Sequence, residues 1–223
     1  TLYLRLFPFL QGRVEVVRCG YTLQPRPVPD ALHNPRTTER PLQIVHAGRI
    51  YRGARSPEPL LRALQCMLQA CPSLDKRISV RFIGEVDPLT QQQVKDWHLS
   101  RVLHLEPWMS RSELESALAR ADALLLLANK GGIQVPSKLY EYFALRKPVI
   151  ALWRDPDDEA CHLVRESCSG WVVQDDEMAI SQFLQFLIDD TAEWPTYKGR
   201  IPIEAYSIDA QLHRYWEIIQ QLL

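Results

Sequence analysis

The sequence predicts an α/β protein in which a doubly wound parallel sheet of about six strands is flanked by helices. Short apolar runs of strand length alternate six times with segments whose apolar residues recur at helical spacing. One run, 123–128, is apolar at every position, as expected of a strand covered on both faces. The 223 residues are 46% hydrophobic and 24% charged, which suits a globular protein and excludes disordered and fibrous classes.

The strands and helices follow one another in alternation from residue 42 onward. The strand candidates are 42–46, 78–83, 101–105, 123–128, 148–152 and 171–173. The helix candidates are 57–70, 89–97, 111–120, 136–145, 157–166 and 177–188. A closing helix at 211–223 has an apolar side made of Leu212, Tyr215, Trp216 and Ile219. Six alternations of this kind indicate a doubly wound sheet.

The chain before residue 42 is predicted to be organised differently. Prolines at positions 25, 27, 29, 35 and 41 disfavour both helix and strand, so 24–41 is interpreted as a linker. Residues 1–23 are too few to fold alone and are assigned to an accessory arm or to the remnant of an amino-terminal domain. The main domain is then 42–223.

Composition limits the partners of the protein. The 26 basic and 27 acidic residues give a net charge of −1, so nothing global suggests nucleic-acid binding. No apolar run reaches the roughly 18 residues that span a membrane. The five cysteines form no CxxC pair, and the histidines lack the spacing of metal ligands, so we expect a cytoplasmic protein without a metal site.

The loop after the first strand is a candidate anion site. Residues 46–56 include Gly48, which lets a ligand approach the backbone, and the arginines Arg49, Arg52 and Arg55, whose planar groups suit phosphate oxygens. The loop lacks the lysine and hydroxyl of a Walker A motif, and the chain has no GxGxxG motif. The alternative interpretation is a solvated basic loop.

The segment after the fourth strand is a second candidate. Pro136 suits the first position of a helix, so the amides of Ser137 and Lys138 belong to the first turn, where they can bind an anion. Glu141, one turn later, can accept hydrogen bonds from the hydroxyls of a ribose. The alternative is that Lys138 and Glu141 form only a surface ion pair.

Two further positions remain open at this stage. The loop of Glu106, Pro107 and Trp108 follows the third strand and can border a nucleotide base, although Trp108 is equally explained by ordinary packing. His46 ends the first strand and can face a ligand, but a hydrogen-bonded core histidine is the simpler interpretation.

Three stretches resemble the carboxyl-terminal, donor-binding half of retaining "group 1" glycosyltransferases with the GT-B fold. They are 46–51, 80–84 and, most specifically, 136–151. The resemblance covers about 42–173 and implies a Rossmann-like domain that binds UDP-sugar or GDP-sugar without a metal. It implies that the full-length enzyme transfers a hexose with retention to a glycan, lipid-linked or small-molecule acceptor, as in polysaccharide biosynthesis.

The resemblance assigns roles residue by residue. Arg49 and Arg55 would stabilise the diphosphate leaving group, and Gly48 would allow its close approach. The first turn at Ser137 and Lys138 would add amides. Glu141 would hold the ribose, and the loop of Glu106 and Pro107 would complete the donor site.

The sequence departs from the family at three positions. Ile133 stands where a first glutamate often contacts the donor sugar, Arg55 replaces a lysine, and Arg146 replaces a glycine after the helix. The acceptor domain of the family is missing from this chain, so we expect the chain alone to be inactive. The resemblance also leaves open contact of the full-length enzyme with the inner face of the membrane. Alternative functions are a GT-B-type nucleotide-sugar epimerase and a non-catalytic nucleotide-binding or interaction module.

Overall fold

The computed structural model shows a six-stranded parallel sheet. It describes residues 4, 6–22, 40–50, 53, 55–127, 135–155, 157–189, 195, 197, 200 and 202–222. The strands are β1 (Leu42–Ala47), β2 (Ile78–Ile83), β3 (Leu103–Glu106), β4 (Ala123–Leu127), β5 (Val149–Trp153) and β6 (Gly170–Gln174). Their order is β3-β2-β1-β4-β5-β6, and every neighbouring pair is parallel. The predicted fold class is confirmed.

Helices cover both faces of the sheet. They are α1 (Glu58–Ala70), α2 (Pro88–Asp96), α3 (Arg111–Arg120), α4 (Lys138–Leu145), α5 (Glu159–Glu166), α6 (Glu177–Ile188) and α7 (Ile208–Leu222). The apolar residues of α1 and α6 pack on one face, with Ile44 and Leu125 of the sheet. Those of α4 and α5 pack on the other, with Val45 and Leu124. Alternate residues of β1 and β4 therefore enter different cores, which explains their continuous apolar pattern.

Most predicted boundaries differ from the structure by one to three residues, and two of the differences have a clear local reason. The third strand begins at Leu103 rather than at residue 101, because Leu99–Arg101 forms a 3-10 turn. The fourth helix, α4, begins at Lys138 rather than at Pro136, because Ser137 is its N-cap residue. The predicted capping box is confirmed: Ser110 and Glu113 bond reciprocally at the start of α3.

The amino-terminal segment lies against α7. The Tyr21 amide donates to Tyr206 and its carbonyl accepts from Ile208, both at 3.0 Å. The side chain of Arg18 pairs with Glu159 of α5. These contacts fit an arm on the main domain. The predicted linker, 24–41, lies outside the described residues apart from Arg40 and Pro41, and the division into domains stays a prediction.

The apolar side of α7 faces solvent. Leu212, Tyr215 and Trp216 are each more than half exposed. Phe9 of the amino-terminal segment is exposed as well. The predicted amphipathic helix is therefore present, but its apolar side does not enter either core.

Two glycines bring the loops after β1 and β2 into contact. Gly48 and Gly84 both have positive φ, at 143° and 134°. A Cβ on Gly84 would lie 2.4 Å from the carbonyl oxygen of Gly48. The next residues continue this contact, because the Ile50 amide donates to the Glu85 carbonyl at 2.8 Å. The path of the first candidate loop therefore depends on the absence of a side chain at Gly84.

We predict that Gly84→Ala destabilises the protein far more than Gly53→Ala. Gly53 also has positive φ, at 101°, but no described atom lies within 4 Å of the position of its Cβ. Gly53→Ala should lower the free energy of unfolding by about 1 kcal/mol through backbone strain alone. Gly84→Ala adds a clash and should lower it by about 3 kcal/mol. Urea unfolding measures both, and equal losses would show that the contact between the loops carries no weight.

Candidate functional site

The candidate site lies at the carboxyl ends of β1 and β4, where the strand order reverses. The chain runs from β1 to β2 and β3 on one side of the sheet and then returns to β4 on the other. Such a reversal opens a crevice beyond the strand ends, and ligands of doubly wound proteins bind there. The loop of Gly48 to Ser56 and the start of α4 both lie at this edge of the sheet.

Arg49 is an exposed cation with an acidic partner. Its Nε donates to Glu85 Oε2 at 2.8 Å, and the two side chains are 62% and 57% exposed. Glu85 follows Gly84, so the contact between the two loops brings this pair together. An ion pair this exposed is weak, on the order of 0 to 1 kcal/mol, and the guanidinium can exchange its partner for a ligand.

Arg55 lies at the other end of the same loop, just before α1. The carbonyl of the following residue, Ser56, accepts a hydrogen bond from Arg154 at 2.7 Å. Arg154 in turn pairs with the buried Asp175 after β6. The sheet thereby anchors the end of the loop that carries Arg55. Arg52, the third predicted arginine, lies outside the described residues.

The start of α4 places Lys138 and Glu141 on one face. Lys138 Nζ lies 2.8 Å from Glu141 Oε2, so the ion pair predicted as the alternative is present in this structure. Ser137 is exposed and caps no amide with its side chain. In the first turn of α4, the Leu139 amide donates a hydrogen bond to the Pro136 carbonyl, and the Tyr140 amide donates one to the Ser137 carbonyl.

Glu106 is engaged within the sheet. Arg81 of β2 donates to both of its carboxylate oxygens, at 2.5 and 2.8 Å. These hydrogen bonds hold the pKa of Glu106 below its usual range, although partial burial acts in the opposite direction. Pro107 is exposed, and Trp108 is 56% exposed with its ring 3.3 Å from the position a Gly84 Cβ would take. The loop can therefore border a ligand through Trp108 and Pro107, while Glu106 already has a partner.

An open depression of about 430 Å³ lies on the α3 side of Arg81. Its walls are formed by Arg81, Met109, Ser112, Glu113, Ser116, Ala117 and Arg120. None of these residues was predicted to belong to the site. None of them belongs to the loop after β1.

His46 lies at the centre of the candidate site. Its ring is buried, and Nδ1 lies 3.0 Å from the Leu125 carbonyl of β4. The pKa of His46 falls to about 4, chiefly because burial disfavours the charged ring, with Arg55 and Lys138 lowering it further. Arg55, on the loop after β1, and Lys138, at the start of α4, are thus both near enough to the ring to disfavour its charge.

The sequence favours a structural role for His46, as a hydrogen-bonded core histidine. Its Nδ1 fits that interpretation, but Nε2 is buried and has no hydrogen-bond partner among the described residues. The only signal in the sequence was its position two residues before Gly48, at the end of a strand. Its environment depends on Leu125 and Lys138, which are distant in the chain.

No three metal-binding side chains come together within the described part of the chain. No helix within it is long and apolar enough to cross a membrane. The prediction that no metal is needed remains a prediction.

Solved structures share the fold at low sequence identity. Sucrose-phosphate synthase from Thermosynechococcus elongatus matches with a TM-score of 0.64 and 17% identity over 99% of this chain and 55% of that one. The lipopolysaccharide outer core galactosyltransferase WaaB in its apo form matches with a TM-score of 0.59 and 16% identity over 90% of this chain and 55% of that one. The MnaA–UDP structure from S. aureus gives 0.57 and 12%, over 82% and 46%. This chain thus spans about half the length of these proteins.

The fold is the Rossmann-like α/β fold found in GT-B proteins, as the sequence predicted. Identities below 20% in these matches carry the fold and not the chemistry. No protein-family model and no curated protein sequence matches the chain.

We predict that His46 makes the stability of the protein depend on pH. The unfolded histidine has a pKa near 6.5 and the folded one near 4. Below 6.5 the unfolded chain binds a proton that the folded chain does not, so stability falls as the pH drops towards 4. The contribution is about 1.4 kcal/mol per pH unit. Urea unfolding at several pH values between about 4 and 6.5 measures it.

His46→Asn should remove this part of the pH dependence. His213→Gln is the matched control, because His213 is 74% exposed and pairs only with Glu217 on its own helix among the contacts described. Its pH dependence should follow that of the wild type. Parallel curves for wild type and His46→Asn would show that His46 does not titrate abnormally.

Proposed function

We propose that the chain is the donor-binding domain of a retaining glycosyltransferase and binds a nucleotide-diphosphate sugar. The observation that carries the proposal is the topology: the loop of Gly48, Arg49 and Arg55 follows β1, and the helix start with Lys138 follows β4, the two strands between which the strand order reverses. The glycosyltransferase-like fold of the solved structures supports it. Donor binding, retention and the identity of the sugar are parts of the proposal.

The cations suit a diphosphate. Arg49 and Arg55 lie on one loop, whose glycine leaves room for close approach, and Lys138 lies across the crevice at the start of α4. The amino end of a helix adds a partial positive charge and amides. When a glycosidic bond to a diphosphate breaks, negative charge grows on the leaving oxygen. Fixed cations around that oxygen lower the barrier by electrostatic preorganisation.

Glu141 is proposed to hold the ribose. Its carboxylate is 39% exposed, on the same face as Lys138, so it can accept hydrogen bonds from two adjacent hydroxyls. Trp108 and Pro107, exposed after β3, are proposed to border the base. The MnaA structure, which is described as a complex with UDP, shows that a protein of this fold binds that nucleotide. UDP and GDP are both candidates here.

The second candidate function is that of a nucleotide-sugar epimerase. A putative UDP-N-acetylglucosamine 2-epimerase from Listeria monocytogenes also shares the fold, with a TM-score of 0.53 and 11% identity over 86% of this chain and 49% of that one. The sequence at 136–151 favours the transferase, and Ile133, outside the described residues, is compatible with a non-catalytic binding module. A transferase, an epimerase and a nucleotide-binding module all require the nucleotide site, whereas an interaction module does not, so binding is the first property to test.

We predict saturable binding of one nucleoside diphosphate that depends on Arg49 and Glu141. Calorimetric titration with UDP, GDP and ADP should give binding of one nucleotide to the wild type. Arg49→Ala should weaken it about 10- to 100-fold, as expected for a hydrogen bond between charged groups. Glu141→Ala should weaken it by a smaller factor, about 2- to 10-fold.

Arg77→Ala is the matched control. Arg77 also forms an exposed ion pair, with Asp189 at 2.7 Å, but it precedes β2 and lies at the opposite edge of the sheet. Its removal should leave the affinity unchanged. Equal weakening by Arg49→Ala and Arg77→Ala, or no binding of any nucleotide by the wild type, would contradict the proposed function.

We predict that Glu85→Gln tightens the binding of inorganic pyrophosphate. The glutamate competes with the ligand for Arg49, and an exposed ion pair of this kind is worth about 0.2 to 1 kcal/mol. Its removal should strengthen binding about 1.5- to 5-fold. Asp189→Asn makes the same change in net charge at the opposite edge and should have little effect. If both variants strengthen binding equally, the effect comes from the change in net charge of the protein. That result would contradict a contact between Arg49 and pyrophosphate.

A further inference from the structure

The unpartnered nitrogen of His46 points to a second feature of the site. Nδ1 lies 3.0 Å from the Leu125 carbonyl, which can only accept, so Nδ1 carries the proton of the neutral ring. Nε2 then presents a lone pair. It is buried and has no hydrogen-bond partner among the described residues, whereas buried polar atoms are almost always paired.

Gly48 borders Nε2 and places no side chain against it. A Cβ on Gly48 would lie 3.7 Å from Nε2, within van der Waals contact. The other sides of the ring are occupied, by Phe82 of β2 at 5.8 Å between ring centroids and by the Leu125 carbonyl of β4. Nε2 is therefore the atom of His46 that faces the loop of the candidate site.

The charges around the ring decide which ligand atom suits Nε2. Burial lowers the pKa of His46 to about 4, because it disfavours the charged imidazole. Two nearby cations, Arg55 before α1 and Lys138 on α4, lower it further. Tyr142 of α4 shares the Leu125 carbonyl through its hydroxyl, and burial raises its pKa, so it is also neutral. A phosphate oxygen would meet Nε2 lone pair to lone pair. A hydroxyl, which donates, is the complementary group.

We propose that His46 recognises the ligand by accepting, at Nε2, a hydrogen bond from a sugar hydroxyl next to the diphosphate. The proposal rests on the proposed function, because it assumes a diphosphate near Arg55 and Lys138. The hydroxyl belongs either to the ribose or to the hexose of the donor. Both sources share the same chemistry, and the probes below separate them.

Two substitutions of His46 test its two ring nitrogens separately. The amide of asparagine reaches as far from the backbone as Nδ1, so His46→Asn can keep the hydrogen bond to Leu125 and removes the acceptor at Nε2. The amide of glutamine reaches as far as Nε2, so His46→Gln keeps an acceptor there and gives up the bond to Leu125. A purely structural histidine would suffer more from His46→Gln.

Three probes are titrated against wild type and both variants: inorganic pyrophosphate, UDP and UDP-glucose, with GDP and GDP-mannose in their place if GDP is the nucleotide that binds. His46→Asn should leave the affinity for pyrophosphate unchanged and lower that for the nucleotide sugar about 2- to 10-fold. His46→Gln should lie closer to wild type. A loss that also affects the nucleoside diphosphate assigns the hydroxyl to the ribose, and a loss confined to the nucleotide sugar assigns it to the hexose.

Other outcomes overturn the proposal. Unchanged affinities in His46→Asn, an equal loss for pyrophosphate, or a greater loss in His46→Gln would each show that Nε2 accepts no ligand hydroxyl. If the wild type binds pyrophosphate and nucleotide, only this inference fails. If it binds no probe, the proposed function fails with it.

A measurement on the wild type needs no substitution. The nitrogen chemical shifts of His46 should show a protonated Nδ1 and a bare Nε2 without ligand. Addition of the nucleotide sugar should move the Nε2 shift as it accepts a hydrogen bond, while pyrophosphate alone should not. An unmoved Nε2 signal at saturation with the nucleotide sugar would overturn the proposal even if both variants failed to fold.

Discussion

The close approach of two backbones at the carboxyl ends of β1 and β2 shapes the candidate site. The Gly48 carbonyl occupies the place where a side chain at Gly84 would begin, so the two loops run together. This contact continues through the pairing of Ile50 with Val86. The contact also places Arg49 of the first loop beside Glu85 of the second loop, and the two side chains form an ion pair. The same glycine at 48 leaves the volume beside His46 without a side chain.

The Leu125 carbonyl connects β1 and β4, the two strands between which the strand order reverses. It accepts from Nδ1 of His46 on β1 and, at 3.4 Å, from the Tyr142 hydroxyl of α4. That hydroxyl accepts in turn from the Ala47 amide at 3.2 Å. One buried network therefore links β1, β4 and the helix that carries Lys138. Because every member is neutral and enclosed, the network does not compete with the nearby cations for an anion.

The sequence predicted what depends on local periodicity and missed what depends on register. Six strands, their helices, the capping box and the spacing of Lys138 and Glu141 follow from residues that are close in the chain. The pairing of Arg81 with Glu106 does not, because it requires β2 and β3 to align so that Ile83 lies beside Glu106.

The same limit applies to single residues at the ends of elements. Arg146 follows α4 with φ of 50°, a conformation usually left to glycine, and its side chain pairs with Glu204. The sequence showed that the glycine was missing, but it could not show the ion pair, because Glu204 lies far along the chain. His46 is the corresponding case at the site. Its Nε2, which has no partner within the described part of the chain, can be recognised only after Leu125 and Gly48 are placed around the ring.

The ion pairs present without ligand are compatible with the proposed function. Arg49 pairs with Glu85 and Lys138 with Glu141, and all four side chains are at least 28% exposed, so each pair contributes little free energy. A diphosphate carries more negative charge than one carboxylate and can accept from both cations at once. If Lys138 exchanges Glu141 for a phosphate oxygen, the freed carboxylate becomes an acceptor for ribose hydroxyls. The ion pair and the proposed ribose contact are then two states of one residue, and a single binding event would convert the first into the second.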